Sequence, residues 1–328
     1  MSVQFILDQC EAALEVIEFN VKGNPTLRNS SLEKLFNTKG YLWLKERELA
    51  MGELGQAFSD EKFKEFILSD NLKEKLHQLQ AVLSKLRDLD MEEMVEKAQG
   101  YLPEDFPIDS YLVPLIKSLE NSFVYQIDGK IAVFLYLNPQ YTKAEMENII
   151  IHELHHVGLG KIYKEIPSQI ENHGLREIFR WTQALGEGYA MLAAAGGVDQ
   201  HPVFYDSELK NKWDQRMDSF ADDFEQVNKF FIKLLKQELN EADAMEKGFE
   251  MFGIQGPWYT VGWQVAVTIE KVYGRKSLIE CIANPLQQFA MFNNAIKIHN
   301  LEQRTVLPGW SGEIINFIEK YGSGLLSF

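Results

Sequence analysis

A chain of 328 residues carries 33 Lys and Arg against 48 Asp and Glu, a formal net charge of −15 that repels nucleic acid and anionic membrane surfaces and excludes both as partners. Forty-five percent hydrophobic and 12 percent aromatic residues exclude a disordered chain and fit one large domain or two of ordinary size. Two cysteines, Cys10 and Cys281, are too few for a disulfide framework or a thiolate zinc site; they fit a reducing cytoplasm and leave a single long-range bridge open.

The opening stretch "MSVQFILDQCEAALEVIEFN" has no basic leader and sets Asp8, Glu11 and Glu15 inside an apolar pattern, so it reads as an amphipathic helix rather than a signal peptide. No run of residues approaches the roughly 20 apolar positions of a membrane span. Apolar residues then recur at helical spacing, as in Leu32, Leu35 and Phe36 and in Leu72, Leu76, Leu79, Leu83 and Leu86, with Asn24-Pro25 marking a turn. Residues 1–100 therefore read as a helical N-terminal segment, and residues 101–328 as a second domain. The boundary is set by "YLPEDFPIDSYLVP", Tyr101 to Pro114, where prolines break the helical period.

The period next changes to two. Phe123 to Ile127 and Ile131 to Leu137 are β-branched and aromatic runs joined by Asp128-Gly129, which predicts a hairpin. Thr142 and Glu145 stand at capping-box spacing and start a helix through "ENIIIHELHHVGLGK". The triple isoleucine alone favours a strand, but Met146, Ile149, Ile150, Glu153 and Val157 follow one helical face. A second box, Ser168 with Glu171, opens a helix that stops at Gly196-Gly197. From Ser207 onward the chain reads as amphipathic helices, including "YTVGWQVAVTIEKVYG" and "SGEIINFIEKYG". Helices, a small sheet, then helices make an α+β fold with helix predominant.

Three of seven histidines fall within five residues, and His152, Glu153 and His156 spell His-Glu-x-x-His. On a helix, four residues is one turn plus about 40°, so both imidazoles leave one face with Cβ atoms about 5 to 6 Å apart, close enough to share one Zn²⁺. Glu153 lies about 100° around from His152, beside the ion, suited to taking a proton from a metal-bound water. The bland alternative is a solvated helix face whose histidines are incidental. His155 is surplus and reads as a supporting or surface residue.

A catalytic zinc needs a third protein ligand and an open position. The metzincin extension is excluded, because Leu159 and Ile162 stand where its glycine and third histidine belong. "ALGEGYAMLAAAG" supplies Glu187, an isolated charge among small and apolar residues that needs a partner. Gly186 and Gly188 cost about 1 kcal/mol each in a helix, tolerable where another backbone, here the histidine helix, comes close. A loop with a solvated glutamate is the competing reading.

"HELHHVG" followed by "GEGYA", with "YTVGWQVAVTIEKVYGRKSLI" further on, resembles the bacterial zinc-dependent peptidases of gluzincin type, catalogued largely as domains of unknown function. The resemblance covers about residues 120–285 and implies a zincin-like catalytic domain in which His152, His156 and Glu187 bind zinc and Glu153 is the general base. Such enzymes usually add a Tyr or His that hydrogen-bonds the oxyanion, and Tyr259 is the candidate, ahead of Tyr189, Tyr205, His173 and His201. A half-buried boundary aromatic is the alternative reading of Tyr259. Two rivals stand beside the peptidase. Glu153-x-x-His156 with Glu74-x-x-His77 matches a di-iron carboxylate bundle, and a helical interaction protein could keep a zincin-like shape without catalysis. The expectation is a cytoplasmic single-zinc hydrolase acting on a peptide or another small carbonyl substrate, with its oligomeric state unreadable.

Overall fold

The computed structural model describes residues 2–50, 58–164, 170–253, 255–302 and 306–322. Among these, helix predominates and the strands form one small sheet, an α+β architecture as the alternation of periods predicts. No helix among the described residues is long and apolar enough to cross a membrane.

The sheet has four strands in the order β1 (Ser2–Phe5), β2 (Asp109–Leu115), β4 (Lys130–Tyr136), β3 (Phe123–Ile127). β1 and β2 are parallel, β2 and β4 are parallel, and β3 closes back on β4 as a hairpin. Its two-residue turn places Asp128 at φ 50° and Gly129 at φ 77°, the positive angles a primed hairpin turn requires. Two strands depart from the sequence expectation. Ser2–Phe5 is a strand and not the start of a helix, because pairing with Asp109–Leu112 outweighs the local amphipathic pattern. The proline-rich stretch holds β2 and is not only a connector. Pro114 is tolerated there because β1 pairs with β2 only as far as Leu112, leaving the proline on a stretch flanked on one side.

The chain forms two compact units, Met1–Val95 with Ile108–Val157, and Glu96–Pro107 with Gly158–Phe328. In the first, α1 (Asp8–Val21) and α3 (Lys39–Ala50) pack against β2, and α2 (Pro25–Phe36), α4 (Asp60–Ile67) and α5 (Asp70–Arg87) pack on α1. Ala12, Ala13, Val16 and Ile17 of α1 are buried, as are Leu72, Leu76, Leu79, Leu83 and Leu86 of α5. Asn24 caps α2 by accepting from the Leu27 N–H, with Pro25 at the first helical position. Gln9 is fully buried: its amide donates to the Ile116 carbonyl and accepts from the Ile116 N–H, both at 3.0 Å, tying α1 to the residue after β2.

α6 (Met91–Gln99) leads into β2, and α7 (Lys143–Ile162) follows β4. The capping box forms as expected: the Thr142 N–H donates to Glu145 Oε2 at 2.6 Å, and the Glu145 N–H donates to Thr142 Oγ1 at 3.2 Å. Ile150 and Ile151 are buried within the helix, so the isoleucine run is helical.

The second unit holds α8 (His173–Thr182), α9 (Gly186–Ala195), α10 (Ser207–Asp218), α11 (Phe220–Leu235), α12 (Glu241–Glu250), α13 (Pro257–Tyr273), α14 (Arg275–Ala283), α15 (Gln287–Glu302) and α16 (Gly312–Gly322). The capping box expected at Ser168 lies outside the described residues; α8 is capped by Asn172, whose side chain accepts from the Leu175 N–H at 3.1 Å. The expected single helix is divided by a 3₁₀ turn, Gln183–Leu185, and ends where Gly196 takes φ 84°. Cys10 and Cys281 are both buried free thiols, each pushed up to about 12 by burial.

Candidate metal centre

α7 carries His152 and His156 on adjacent turns. The two Nε2 atoms stand 3.0 Å apart, with ring planes at 78°. Tetrahedral zinc with bonds of about 2.0 to 2.1 Å sets its ligand nitrogens about 3.3 Å apart, so the pair needs only a small adjustment to share one ion. Glu187 lies in the first turn of α9, and one ligand atom from each of His152, His156 and Glu187 falls within 4.8 Å of the others. Among the described residues this is the one group of three or more His, Cys, Asp or Glu that could hold a metal ion. Two imidazoles and a carboxylate, each half-buried, are an N₂O donor set suited to Zn²⁺, and three ligands leave a fourth position for water or substrate.

Packing explains why α9 can bring its carboxylate here. A Cβ on Gly186 would meet Leu159 Cδ1 of α7 at 2.7 Å, and one on Gly188 would meet the Trp263 nitrogen of α13 at 1.8 Å. A Cβ on Gly262 would in turn meet the Leu185 carbonyl oxygen at 2.2 Å. Glu187 thus sits between two glycines that let its helix touch two others. The sequence expectation that the backbone of the histidine helix approaches both glycines is not met: Gly186 faces a leucine side chain of that helix, and Gly188 faces the backbone of α13. Gly158 of α7 plays a similar part, since a Cβ there would meet Leu102 Cδ1 at 2.2 Å.

Glu153 is half-buried on α7 beside His152. His155 is fully buried, which removes the surface reading of that residue. Tyr259 is half-buried in the first turn of α13, which opens at Pro257 rather than at the tyrosine. Tyr189, a competitor for the same duty, is fully buried, its hydroxyl donates to Gln288 Oε1, and burial holds it well above its usual range. His201 is engaged with Asp214 at 3.0 Å, and His173 begins α8. Glu74 and His77 lie exposed on α5, in the setting of a solvated face rather than a bundle interior.

One polar residue of this helix escaped sequence reasoning. Asn148, one turn ahead of His152, is 8% exposed, and its Nδ2 has no hydrogen-bond partner among the described residues. Only its four-residue spacing from His152 could have singled it out.

A family model described as "Putative zinc dependent peptidase (DUF5700)" matches residues 32–301, most of the chain. Neither the curated proteins nor the solved structures gave a match.

Proposed function

The chain belongs to that zinc-dependent peptidase family, and from this premise we propose that it is a single-zinc hydrolase of gluzincin type that cleaves peptide bonds. The observation that carries the proposal is the convergence of the His152, His156 and Glu187 ligand atoms within 4.8 Å. His152 Nε2, His156 Nε2 and the Glu187 carboxylate would hold the ion. When bound, zinc supplies Lewis acidity toward the scissile carbonyl and acidifies a coordinated water. Glu153 would act as the general base, accepting a proton from the attacking water and returning it to the departing amine. The Tyr259 hydroxyl donates to the oxyanion, where charge develops and a donor helps most. β3, at the edge of the sheet, offers backbone groups for an extended peptide to pair with.

In this reading residues 101–328 form the zincin-like catalytic domain, residues 1–100 are a helical accessory segment, and the protein works on peptides in the cytoplasm. The test joins metal analysis to turnover. Purified protein should hold one zinc per chain and cleave members of a peptide library. Glu153→Gln should keep the zinc and lower kcat about 10²- to 10⁴-fold, the usual contribution of a general base. Glu187→Ala should lose the zinc. Two irons per chain, or hydrolysis that survives Glu153→Gln, would overturn the assignment.

A further inference from the structure

A cavity of about 210 Å³ lies in the first unit, lined by Leu44, Phe63, Phe66 and Leu119 on its apolar side and by Glu48 and Lys117 on its polar side. Lys117 is only 5% exposed. Its ammonium donates to the Leu119 carbonyl and, at 2.6 Å, to Asn121 Oδ1, both neutral acceptors, which leaves one of its three N–H groups to place. The Phe123 and Tyr136 rings lie 5.5 and 5.8 Å from Nζ. No carboxylate among the described residues lies within ion-pair distance of it, and Glu48 is already engaged by Arg47 at 2.8 Å. Glu48 acts on the ammonium only from beyond ion-pair distance, and its effect is opposed by Arg47, so the buried charge is costly to keep, and here it borders an open apolar space.

We propose that this cavity binds a small carboxylate with an apolar body, the carboxylate on the Lys117 ammonium and the body against Leu44, Phe63 and Phe66. The ligand supplies a counter-charge in direct contact through a charge-assisted hydrogen bond, and its hydrocarbon part fills space bordered by rings and a leucine. Such a ligand is either a branched aliphatic acid or an apolar amino acid, whose α-ammonium Glu48 would accept. Burial already brings the Lys117 ammonium down to about 8, so binding of the anion takes up a proton at alkaline pH. Glu48 and Lys62 line the same space; the Arg47 charge also acts on Lys117 and lowers it, and the Tyr136 ring lies 5.8 Å from Nζ, its hydroxyl pushed up to about 12 by burial.

The experiment is calorimetric titration of the full chain with 4-methylpentanoate, L-leucine and the neutral 4-methylpentanamide. The acid or the amino acid should bind at least about tenfold more tightly than the amide, the scale of a hydrogen bond to a charged group. Tighter L-leucine identifies an amino-acid site, and tighter 4-methylpentanoate identifies a simple carboxylate site. Affinity for the anion should be level below pH 8 and fall toward tenfold per pH unit above it. Lys117→Met should erase the preference for acid over amide; if that variant does not fold, the acid–amide comparison and pH profile of the unaltered protein still decide. Equal binding of acid and amide, no binding of any probe, or a preference that survives in Lys117→Met would overturn the proposal.

Discussion

Gly188→Ala separates two opposed effects by the sign of the outcome. On propensity alone, alanine in a helix is better than glycine by about 1 kcal/mol, so the substitution should stabilise. The structure argues the reverse. The added Cβ would stand 1.8 Å from the Trp263 nitrogen, 2.1 Å from the Gly262 carbonyl carbon and 2.6 Å from Gly262 Cα. These are backbone atoms inside α13 and cannot rotate away. Restoring ordinary contact means moving from 1.8 to at least 3.4 Å, an opening of about 1.6 Å between α9 and α13. Overpacking on this scale costs about 1 to 3 kcal/mol or more in well-packed interiors, where the buried Tyr189, Ala190 and Val261 lie beside the contact. Net of the propensity gain, destabilisation of about 2 kcal/mol should lower Tm by about 4 to 8 °C in a domain of this size.

Glu187 stands directly before Gly188 in the first turn of α9, so if it ligates zinc the strain falls on the ligand's own support. Zinc affinity should therefore fall about tenfold or more, as it does when the support of a ligand is disturbed. Gly312→Ala is the control, because no heavy atom outside the adjoining backbone lies within 4 Å of its Cβ position. Calorimetric unfolding and competitive zinc titration of both variants read the two effects separately. A Tm for Gly188→Ala equal to or above that of the unaltered protein would refute the close-contact reasoning.

Three further outcomes follow from single sites. If the triad holds zinc, chelation should lower Tm and added zinc restore it; saturation at 1,000 times Kd contributes about 4 kcal/mol, and Glu187→Ala should abolish the response. Asp223→Ala should cost about 3 kcal/mol by denaturant unfolding, because Asp223, 4% exposed, accepts from Arg216 and from the Thr260 hydroxyl at 2.8 Å, and both donors lose their acceptor. Lys117→Met should show a pH signature: the lysine is brought down to about 8 in the folded protein from 10.5, so the unfolded chain binds the extra proton and stability rises with pH between those values. The gain from Lys117→Met, on the order of 3 kcal/mol near neutral pH before its lost hydrogen bonds are subtracted, should shrink across that interval in urea titrations at fixed ionic strength.

Features encoded within a few residues were legible in the sequence. The Thr142–Glu145 box, the Asp128-Gly129 turn and the leucine spacing of α5 each depend on neighbours along the chain, and each took the form its residues predict. The pairing of Ser2–Phe5 with Asp109–Leu112 depends on partners 107 residues apart and leaves only a weak local trace, so a strand passed for the start of a helix. Pro114 misled in the opposite direction. It marks a break in helical period, yet it sits in β2 because the neighbouring strand ends before reaching it. At the candidate site, the one-turn spacing of His152 and His156 follows from helix geometry, whereas no local rule says where a glutamate thirty-one positions after His156 will point.

The glycines beside that glutamate show how far composition alone can carry such a reading. Two small residues flanking a charge signal a close approach, but not to what, and the two neighbours prove to be a leucine side chain of α7 and the backbone of α13. α13 is itself fixed at its first turn, where Thr260 donates to Asp223, a buried carboxylate also held by Arg216 at 2.6 Å. That turn carries Tyr259, and Gly262 follows one residue after Val261 to meet the carbonyl of Leu185 just before α9. The Asp223–Thr260 bond therefore anchors the helix that both presents the proposed oxyanion donor and braces the proposed third ligand. If the zinc reading holds, weakening this anchor should disturb the metal and the turnover together, though neither Asp223 nor Thr260 belongs to the triad.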